Sequence, residues 1–182
     1  SSDTRNLKKG ELFFTIPNKK FSANKLIHKA FKKGAAVIVT HKKKQNFEKI
    51  INRRGILEKL TYACKKFYIR KPKNIIAVTG TNGKSSVADF FYQILKINNI
   101  RSATIGTLGI KKGRIFKKTD LTSLDIISFH KELEKIKKLG IENVMVEASS
   151  HGLDQGRLAG VKFISGIFTN LSQDHLDYHK KM

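Results

Sequence analysis

The 182-residue chain has almost no cysteine or proline and no tryptophan: one Cys, two Pro and no Trp. The single thiol, Cys64, excludes an intramolecular disulfide framework and a zinc site built from several cysteines, which favours a reducing compartment. No apolar run approaches the roughly 18 residues that a membrane-spanning helix needs. Residues 1–5 also lack the apolar core of a signal peptide. We therefore expect a cytoplasmic protein with no membrane partner.

Acidic residues are also scarce, since 14 Asp and Glu oppose 37 Lys and Arg for a net charge of +23. Residues 1–73 hold 21 basic and 4 acidic side chains, and residues 74–182 hold 16 and 10. The lysines occur in short runs beside apolar residues, as on the solvated faces of ordinary elements. Lysine outnumbers arginine 30 to 7, whereas base recognition and bidentate phosphate recognition favour arginine. Because no nucleic-acid motif is present, we expect no nucleic-acid partner. The alternative is a non-catalytic module that binds nucleotides or nucleic acid.

Apolar and polar residues alternate along the chain in a pattern typical of an α/β protein. A content of 40% hydrophobic residues can form a core, and the length allows one large or two small domains. The predicted strands cover residues 11–16, 35–40, 75–79, 101–105, 143–147 and 163–169, and the predicted helices cover 23–33, 85–98 and 125–139. A mainly parallel sheet follows, with functional residues at the carboxyl ends of its strands.

Three further segments complete the predicted organisation. Apolar residues at helical spacing between 47 and 68 indicate helical structure, which Gly55 divides into two helices. A hairpin is expected with its turn in residues 111–114. The polar segment 69–74 contains a proline and lies where the charge density falls. It predicts a linker, with domains at 1–73 and 74–182.

A glycine-rich turn follows the predicted strand at 75–79 and opens a helix. Its residues are Gly80, Thr81, Asn82, Gly83, Lys84, Ser85 and Ser86. The glycines permit close backbone approach, and successive N–H groups at the helix N-terminus face an anion. Lys84 supplies a point charge for phosphates, and the Ser85 hydroxyl can ligate Mg²⁺. The turn predicts an ATP site with Mg²⁺, although Val78 stands where the general phosphate-loop pattern has glycine; a glycine turn with a helix-end lysine is the alternative.

Two polar motifs follow later strands. Glu147 ends an apolar strand, and a buried carboxylate needs a cation or hydrogen-bond donors. Mg²⁺ held with nucleotide phosphates would satisfy it, and a salt bridge to a lysine is the alternative. Arg157, ten residues on, can form a fork with a substrate carboxylate or lie on the surface. The Asp- and His-rich segment 168–179 is either a site or a solvated turn.

These motifs resemble those of the Mur ligase superfamily of ATP-dependent amide-bond-forming enzymes, in the same order and over essentially the whole chain. The turn at 79–86 resembles its ATP loop. Residues 147–157 (EASSHGLDQGR) are similar to the signature of the UDP-N-acetylmuramoyl-tripeptide synthetases, which add the third peptide residue. Residues 168–179 resemble the family segment Thr-Asn-Leu-x-x-Asp-His-Leu-Asp-x-His. Residues 121–123 (LTS) resemble its Thr-Thr-Pro stretch, and residues 3–5 with 10–13 resemble the pattern of its uridine-binding domain.

The resemblance implies a role for each candidate residue. Lys84, Glu147 and His175 would be catalytic, and Ser85, Glu147 and His175 would hold Mg²⁺. The residues that would bind the sugar-peptide substrate are Thr4, Thr122, Ser123, Ser149, Gln155 and Arg157. The chain departs from the family at Ser123 and Leu124, which replace the second threonine and the proline of the Thr-Thr-Pro stretch, and at residues 22–24 (SAN), where the family has Asp-Gly-His.

The resemblance also implies the reaction. It is the ATP-dependent addition of a diamino acid, meso-diaminopimelate or L-lysine, to UDP-MurNAc-L-Ala-D-Glu through an acyl phosphate, in peptidoglycan precursor synthesis and hence in cell wall biogenesis, cell shape and cell division. Family members have three domains. We therefore expect an α/β UDP-substrate-binding domain at 1–73 and part of a P-loop-type central domain with a mainly parallel sheet at 74–182. The amino-acid-binding domain is absent, so we expect a monomeric fragment that is not competent alone. Folylpolyglutamate and cyanophycin synthetases are alternatives within the superfamily.

Overall fold

The computed structural model describes residues 1–16, 22–41, 50–52, 54–119, 122–174 and 176–180. The chain divides into two compact units, Ser1–Cys64 and Lys65–Met182. The division follows Cys64, whereas the composition predicted a boundary after Lys73. The ligand-binding roles assigned to the two domains stay predictions.

The first unit is built on three parallel strands in the order β1-β2-β3. Its elements are β1 Leu12–Phe14, α1 Ala23–Lys32, β2 Val37–Thr40, β3 Ile50–Asn52 and most of α2 Ile56–Phe67, whose last three residues belong to the second unit. The Ser22 hydroxyl caps α1 by accepting the amide N–H of Lys25. Phe13 and Ile38 from the sheet pack against Ile27 of α1. The predicted β-α-β order is therefore confirmed.

The segment before Gly55 differs from the prediction. Helical spacing between 47 and 68 predicted helices on both sides of Gly55, but Ile50–Asn52 is a strand that pairs in parallel with β2, with Ile50 opposite Ile38. The prediction of a helix there is wrong because β-branched residues suit a strand once a neighbouring edge is present, and no local pattern reports that edge. Gly55 adopts a left-handed φ of 63° ahead of α2, which confirms the second helix.

The second unit contains a six-stranded sheet in the order β7-β6-β5-β8-β4-β9. Its elements are β4 Asn74–Thr79, α3 Lys84–Ile97, β5 Ser102–Gly106, β6 Gly109–Lys112, β7 Ile115–Lys117, α4 Ile126–Lys138, β8 Asn143–Glu147, α5 Ser150–Asp154, β9 Ser165–Phe168 and α6 Leu176–His179. Strands β5, β8, β4 and β9 run in parallel, and β6 and β7 form the antiparallel edge. The predicted α/β class is confirmed. The hairpin turn lies between β6 and β7, so two of its predicted residues, Lys111 and Lys112, belong to β6.

Helices cover both faces of this sheet. Val144 and Val146 of β8 belong to a core with Phe129 of α4, whereas Met145 between them belongs to a core with Ala88 of α3. Burial on both faces explains why the strands read as continuous apolar runs. Because β5, β8 and β4 are parallel neighbours, their carboxyl ends lie side by side at the same end of the sheet.

A buried ion pair attaches the antiparallel edge to α4. Lys112 of β6 donates to Glu132 of α4, and the two residues are 8% and 3% exposed. Burial disfavours the ionised carboxyl, yet the hydrogen bond and charge of Lys112 hold the pKa of Glu132 below its ordinary value.

Within the part of the chain that the structure describes, no helix is long and apolar enough to cross a bilayer.

Candidate active site

The loop between β4 and α3 requires glycine at two positions. Gly80 and Gly83 have φ angles of 131° and 84°, in the range that L side chains rarely adopt. A Cβ on Gly80 would lie 2.1 Å from Thr169 Oγ1 and 2.8 Å from the Asn170 carbonyl oxygen. Gly83 is the N-cap of α3, so the first amide groups of the helix face the loop. The predicted strand, turn and helix are confirmed, with the helix starting at Lys84.

The residues after β9 hold this loop in place. Thr169 Oγ1 donates to the Asn82 carbonyl at 2.6 Å, and Asn170 Oδ1 accepts the Asn82 N–H at 3.0 Å. The Ser172 N–H donates to Thr81 Oγ1 at 2.9 Å. These residues lie in the segment 168–179 that resembles a family motif, but the resemblance implied no role for them. The missing information was the pairing of β9 with β4, which carries the chain after β9 past the loop.

The Lys84 ammonium group contacts the backbone of the glycine-rich loop. Its Nζ donates to the carbonyl oxygens of Gly80 at 2.6 Å and Thr81 at 2.8 Å. The ammonium group is therefore held on the loop that leads into α3. Cation and amide groups together form a positive surface suited to a phosphate chain.

Glu147 is the carboxylate of the site. It ends β8, is 2% exposed, and lies opposite Val78 of β4. Ser85 Oγ donates to Glu147 Oε2 at 2.8 Å, so the structure brings together two of the three predicted metal ligands. Within the described parts of the chain, no lysine, arginine or histidine forms a salt bridge with Glu147. The alternative, a salt bridge between Glu147 and a lysine, is therefore not found among these residues.

Two residues that sequence reasoning missed contact this carboxylate. Thr107 Oγ1 lies 3.0 Å from Glu147 Oε2, and a Cβ on Gly106 would lie 2.1 Å from Glu147 Oε1. Both follow from the parallel pairing of β5 with β8, where Ile105 lies opposite Val146. The only local signal is their position at the carboxyl end of a predicted strand.

Several of the predicted substrate residues form a hydrogen-bonded group at the end of β8, Ser123 and Ser149 directly and Thr122 through Thr107 and Glu147. The Oγ atoms of Ser123 and Ser149 are 3.0 Å apart, and Ser123 Oγ donates to the Glu147 carbonyl at 3.1 Å. Ser149 also accepts the Gly152 N–H at 3.1 Å and thereby caps α5, a short helix that sequence reasoning did not predict. Thr122 Oγ1 lies 2.9 Å from Thr107 Oγ1.

Arg157 extends this group outward. Its Nη1 donates to the Ser123 carbonyl at 2.8 Å, while Nε and Nη2 both donate to Gln155 Oε1, at 2.9 and 2.7 Å. Gln155 Nε2 donates to the Tyr178 hydroxyl at 3.2 Å, which donates to Asp154 at 2.7 Å. The guanidinium group is thus oriented by three bonds, and Tyr178 is a supporting residue to which the motif at 168–179 assigned no role.

A pocket of about 250 Å³ opens at this edge of the sheet. It is lined by Thr81, Asn82, Gly83, Lys84, Ser85, Ser86, Thr107, Thr122 and Ser149. Six residues of the glycine-rich turn and two predicted substrate residues therefore share one cavity. Thr4 lies in the first unit. His175, predicted as a ligand of a second Mg²⁺, lies outside the described residues.

The donor set fits a magnesium ion held with a nucleotide. Magnesium prefers oxygen ligands, and in nucleotide sites one or two carboxylates and phosphate oxygens usually hold it. Ser85 and Glu147 supply a hydroxyl and a carboxylate oxygen 2.8 Å apart. Among the described residues, no group of three or more His, Cys, Asp or Glu could hold a metal without other ligands. These residues therefore suit a site in which nucleotide phosphates supply further metal ligands better than a site formed by protein side chains alone.

Comparison with protein families and curated proteins gives consistent matches. The family model described as the Mur ligase middle domain matches residues 78–182. A UDP-N-acetylmuramoyl-L-alanyl-D-glutamate–2,6-diaminopimelate ligase of Rickettsia bellii is 43% identical over 183 residues, which cover 98% of this chain and 38% of the relative. The ligase of that name from Bradyrhizobium diazoefficiens is 40% identical over 181 residues, covering 97% and 37%. The chain spans about 38% of the length of the curated relatives it matches.

Solved structures agree. A structure of a ligase with the same name superposes with a TM-score of 0.79 at 28% identity, covering 98% of this chain and 37% of that one. The MurF ligase of Thermotoga maritima, solved in complex with ADP, has a TM-score of 0.61 at 17% identity, covering 100% and 39%. The second match supports the fold alone.

Proposed function

Since the chain belongs to the Mur ligase family, we propose that it supplies the ATP site and part of the sugar-peptide site of a ligase that joins a diamino acid to UDP-MurNAc-L-Ala-D-Glu. The observation that carries this proposal is the contact between the Ser85 hydroxyl and the buried Glu147 carboxylate, 2.8 Å apart at the mouth of a glycine-rich loop. The names of the relatives favour 2,6-diaminopimelate as the diamino acid. Cytoplasmic location and a monomeric state belong to the same proposal.

Each part of the pocket has a place in the binding of ATP. Amides at the start of α3 and the Lys84 ammonium group bind the phosphates. Ser85 and Glu147 would hold Mg²⁺, and His175 would hold a second ion. Bound Mg²⁺ would offset negative charge on the phosphates during transfer. Thr169, Asn170 and Ser172 are hydrogen-bonded to the loop and hold its conformation before the nucleotide binds. This lowers the entropy cost of ordering the loop on binding.

The cluster of hydroxyl-bearing side chains next to the loop positions the sugar-peptide substrate. Thr122 and Ser149 line the pocket, with Ser123 behind them, and Arg157 with Gln155 presents a fixed guanidinium to an acidic substrate. Thr4 is proposed to contact the uridine part. The γ-phosphoryl group of ATP passes to the D-Glu carboxylate and ADP leaves; the amine of the diamino acid then attacks the acyl carbon and phosphate leaves.

Replacement of Lys84 tests this proposal. We expect Lys84→Ala in the full-length gene product to reduce phosphate release that depends on UDP-MurNAc-dipeptide by about 100-fold or more, because a cation at the transferred phosphate is lost. Lys96→Ala, at an exposed position near the end of α3, is the matched control and should remain near wild type. Turnover near wild type in Lys84→Ala, or stimulation by a folate or amino-acid polymer instead of the sugar dipeptide, would contradict the proposal.

A further inference from the structure

Thr107 occupies a position between the two halves of the site. It lies in the two-residue turn that joins β5 to β6, and the pairing of Gly106 with Gly109 fixes that turn. Its Oγ1 lies 3.0 Å from Glu147 Oε2 and 2.9 Å from Thr122 Oγ1. One side chain thus contacts both the proposed metal carboxylate and a proposed substrate hydroxyl.

The number of protons sets the direction of these bonds. A hydroxyl group has one proton to donate, and a carboxylate can only accept. Thr107 therefore donates to Glu147, and Thr122 must donate to Thr107. The Thr122 oxygen then presents lone pairs to the pocket, which suits an N–H or O–H donor of the substrate.

We propose that Thr107 is a positioning residue that fixes the Glu147 carboxylate and orients the Thr122 hydroxyl, so that the metal side and the sugar-peptide side of the site depend on one hydroxyl group. The inference rests on the function proposed above. Its physical basis is that Glu147 Oε2 has two donors, Ser85 and Thr107. If the Ser85 hydroxyl ligated a metal ion instead, Thr107 would be the donor that still holds the carboxylate in orientation.

Two variants of Thr107 separate its hydroxyl from its shape. Thr107→Val keeps the volume and removes the hydroxyl, and Thr107→Ser keeps the hydroxyl. In the full-length gene product we expect Thr107→Val to raise the Mg²⁺ concentration for half-maximal binding of a non-hydrolysable ATP analogue by about 10-fold or more, as loss of a partner of a metal ligand usually does. Calorimetric titration measures this without turnover. The KM for UDP-MurNAc-dipeptide should rise as well, and Thr107→Ser should restore both values.

Thr61→Val is the control for the substitution itself, because Thr61 lies in the first unit and its hydroxyl donates to the Leu57 carbonyl of the same helix, α2, at 2.7 Å. Wild-type values for Thr107→Val in both measurements would overturn the inference, and so would equal impairment of the Val and Ser variants. Glu147→Gln separates the two levels of the argument. If it abolishes the Mg²⁺ dependence while Thr107→Val has no effect, only the inference fails; if it leaves the Mg²⁺ dependence unchanged, the metal assignment in the proposed function fails too.

Discussion

Gly106 shows how closely the backbone approaches the carboxylate of the site. Its φ is not in the left-handed range that would by itself require glycine, so space is the constraint. The Cβ of any other residue would lie 2.1 Å from Oε1 and 2.6 Å from Cγ of Glu147. The carboxylate is buried at the end of β8 and has little freedom to move away.

We therefore expect Gly106→Ala to weaken Mg²⁺-dependent binding of the ATP analogue sharply and to reduce the free energy of unfolding by roughly 1–3 kcal/mol, as overpacking does. Gly166→Ala on β9 is the matched control, because a Cβ there meets nothing within 4 Å. Calorimetry and urea unfolding measure the two effects. Binding by Gly106→Ala equal to that of the control would show that Glu147 can move without loss of function.

At the scale of elements, α4 carries a buried histidine that the site does not use. His130 is fully buried, and its Nε2 lies 2.9 Å from the Ala159 carbonyl oxygen. Among the residues that the structure describes, its Nδ1 has no hydrogen-bond partner. Burial lowers the pKa of His130, and the charges of Lys71 and Lys65 act in the same direction, against the opposing bond to Ala159. The helix therefore packs with a neutral imidazole.

This arrangement predicts a loss of stability in mild acid. Because the pKa in the folded state lies below the unfolded value of about 6.5, the unfolded chain binds the proton first, and stability falls as the pH drops below about 6.5. His130→Gln keeps a donor for Ala159 and removes the titration, so the free energy of unfolding should fall less between pH 7.5 and about 5.5 than in the wild type.

Replacement of the exposed His28 of α1 by Gln is the control for this measurement. It should leave the acid dependence unchanged. Acidic groups with lowered pKa values, such as Glu132, act in a separate window, because their contribution is lost only as the pH falls below about 4.5. The same slope in wild type and His130→Gln would contradict the assignment.

At the scale of the whole molecule, the net charge of +23 is the dominant property. The site uses a few of these charges, chiefly Lys84 and Arg157, and pairs such as Lys112 with Glu132 use a few more. Most of the remaining basic residues repel one another, which disfavours a compact chain. Salt screens this repulsion, because the Debye length falls from about 30 Å at 0.01 M to about 8 Å at 0.15 M.

We expect the thermal midpoint to rise when NaCl is increased from about 0.01 M to about 0.15 M, since screening relieves repulsion in the folded state. A variant carrying Lys59→Glu and Lys131→Glu, both at exposed positions, should show a smaller rise. Differential scanning calorimetry gives both values. A midpoint that falls with salt would mean that attractive ion pairs outweigh the net repulsion.

Prediction from sequence worked best where the determining forces are local. The strand at 75–79, the glycine turn and the helix after it could be predicted because backbone freedom, apolar runs and helix capping act within a few residues. Ile50–Asn52 and the helix Ser150–Asp154 could not. The strand depends on an edge supplied by β2, and the short helix depends on a cap by Ser149 that is itself held by Ser123.

The sequence by itself determined which chemical groups the site would contain: a glycine-rich loop with Lys84, Ser85, Glu147, and a series of hydroxyl groups ending at Arg157. Only the tertiary structure decided which groups touch. The order β5-β8-β4-β9 places Thr107 and Gly106 on one side of Glu147 and brings Thr169 to the loop, across 40 residues between Thr107 and Glu147 and 87 between Thr169 and Asn82. Strand order and register arise from burial of the whole sheet, so no local pattern of residues can report them.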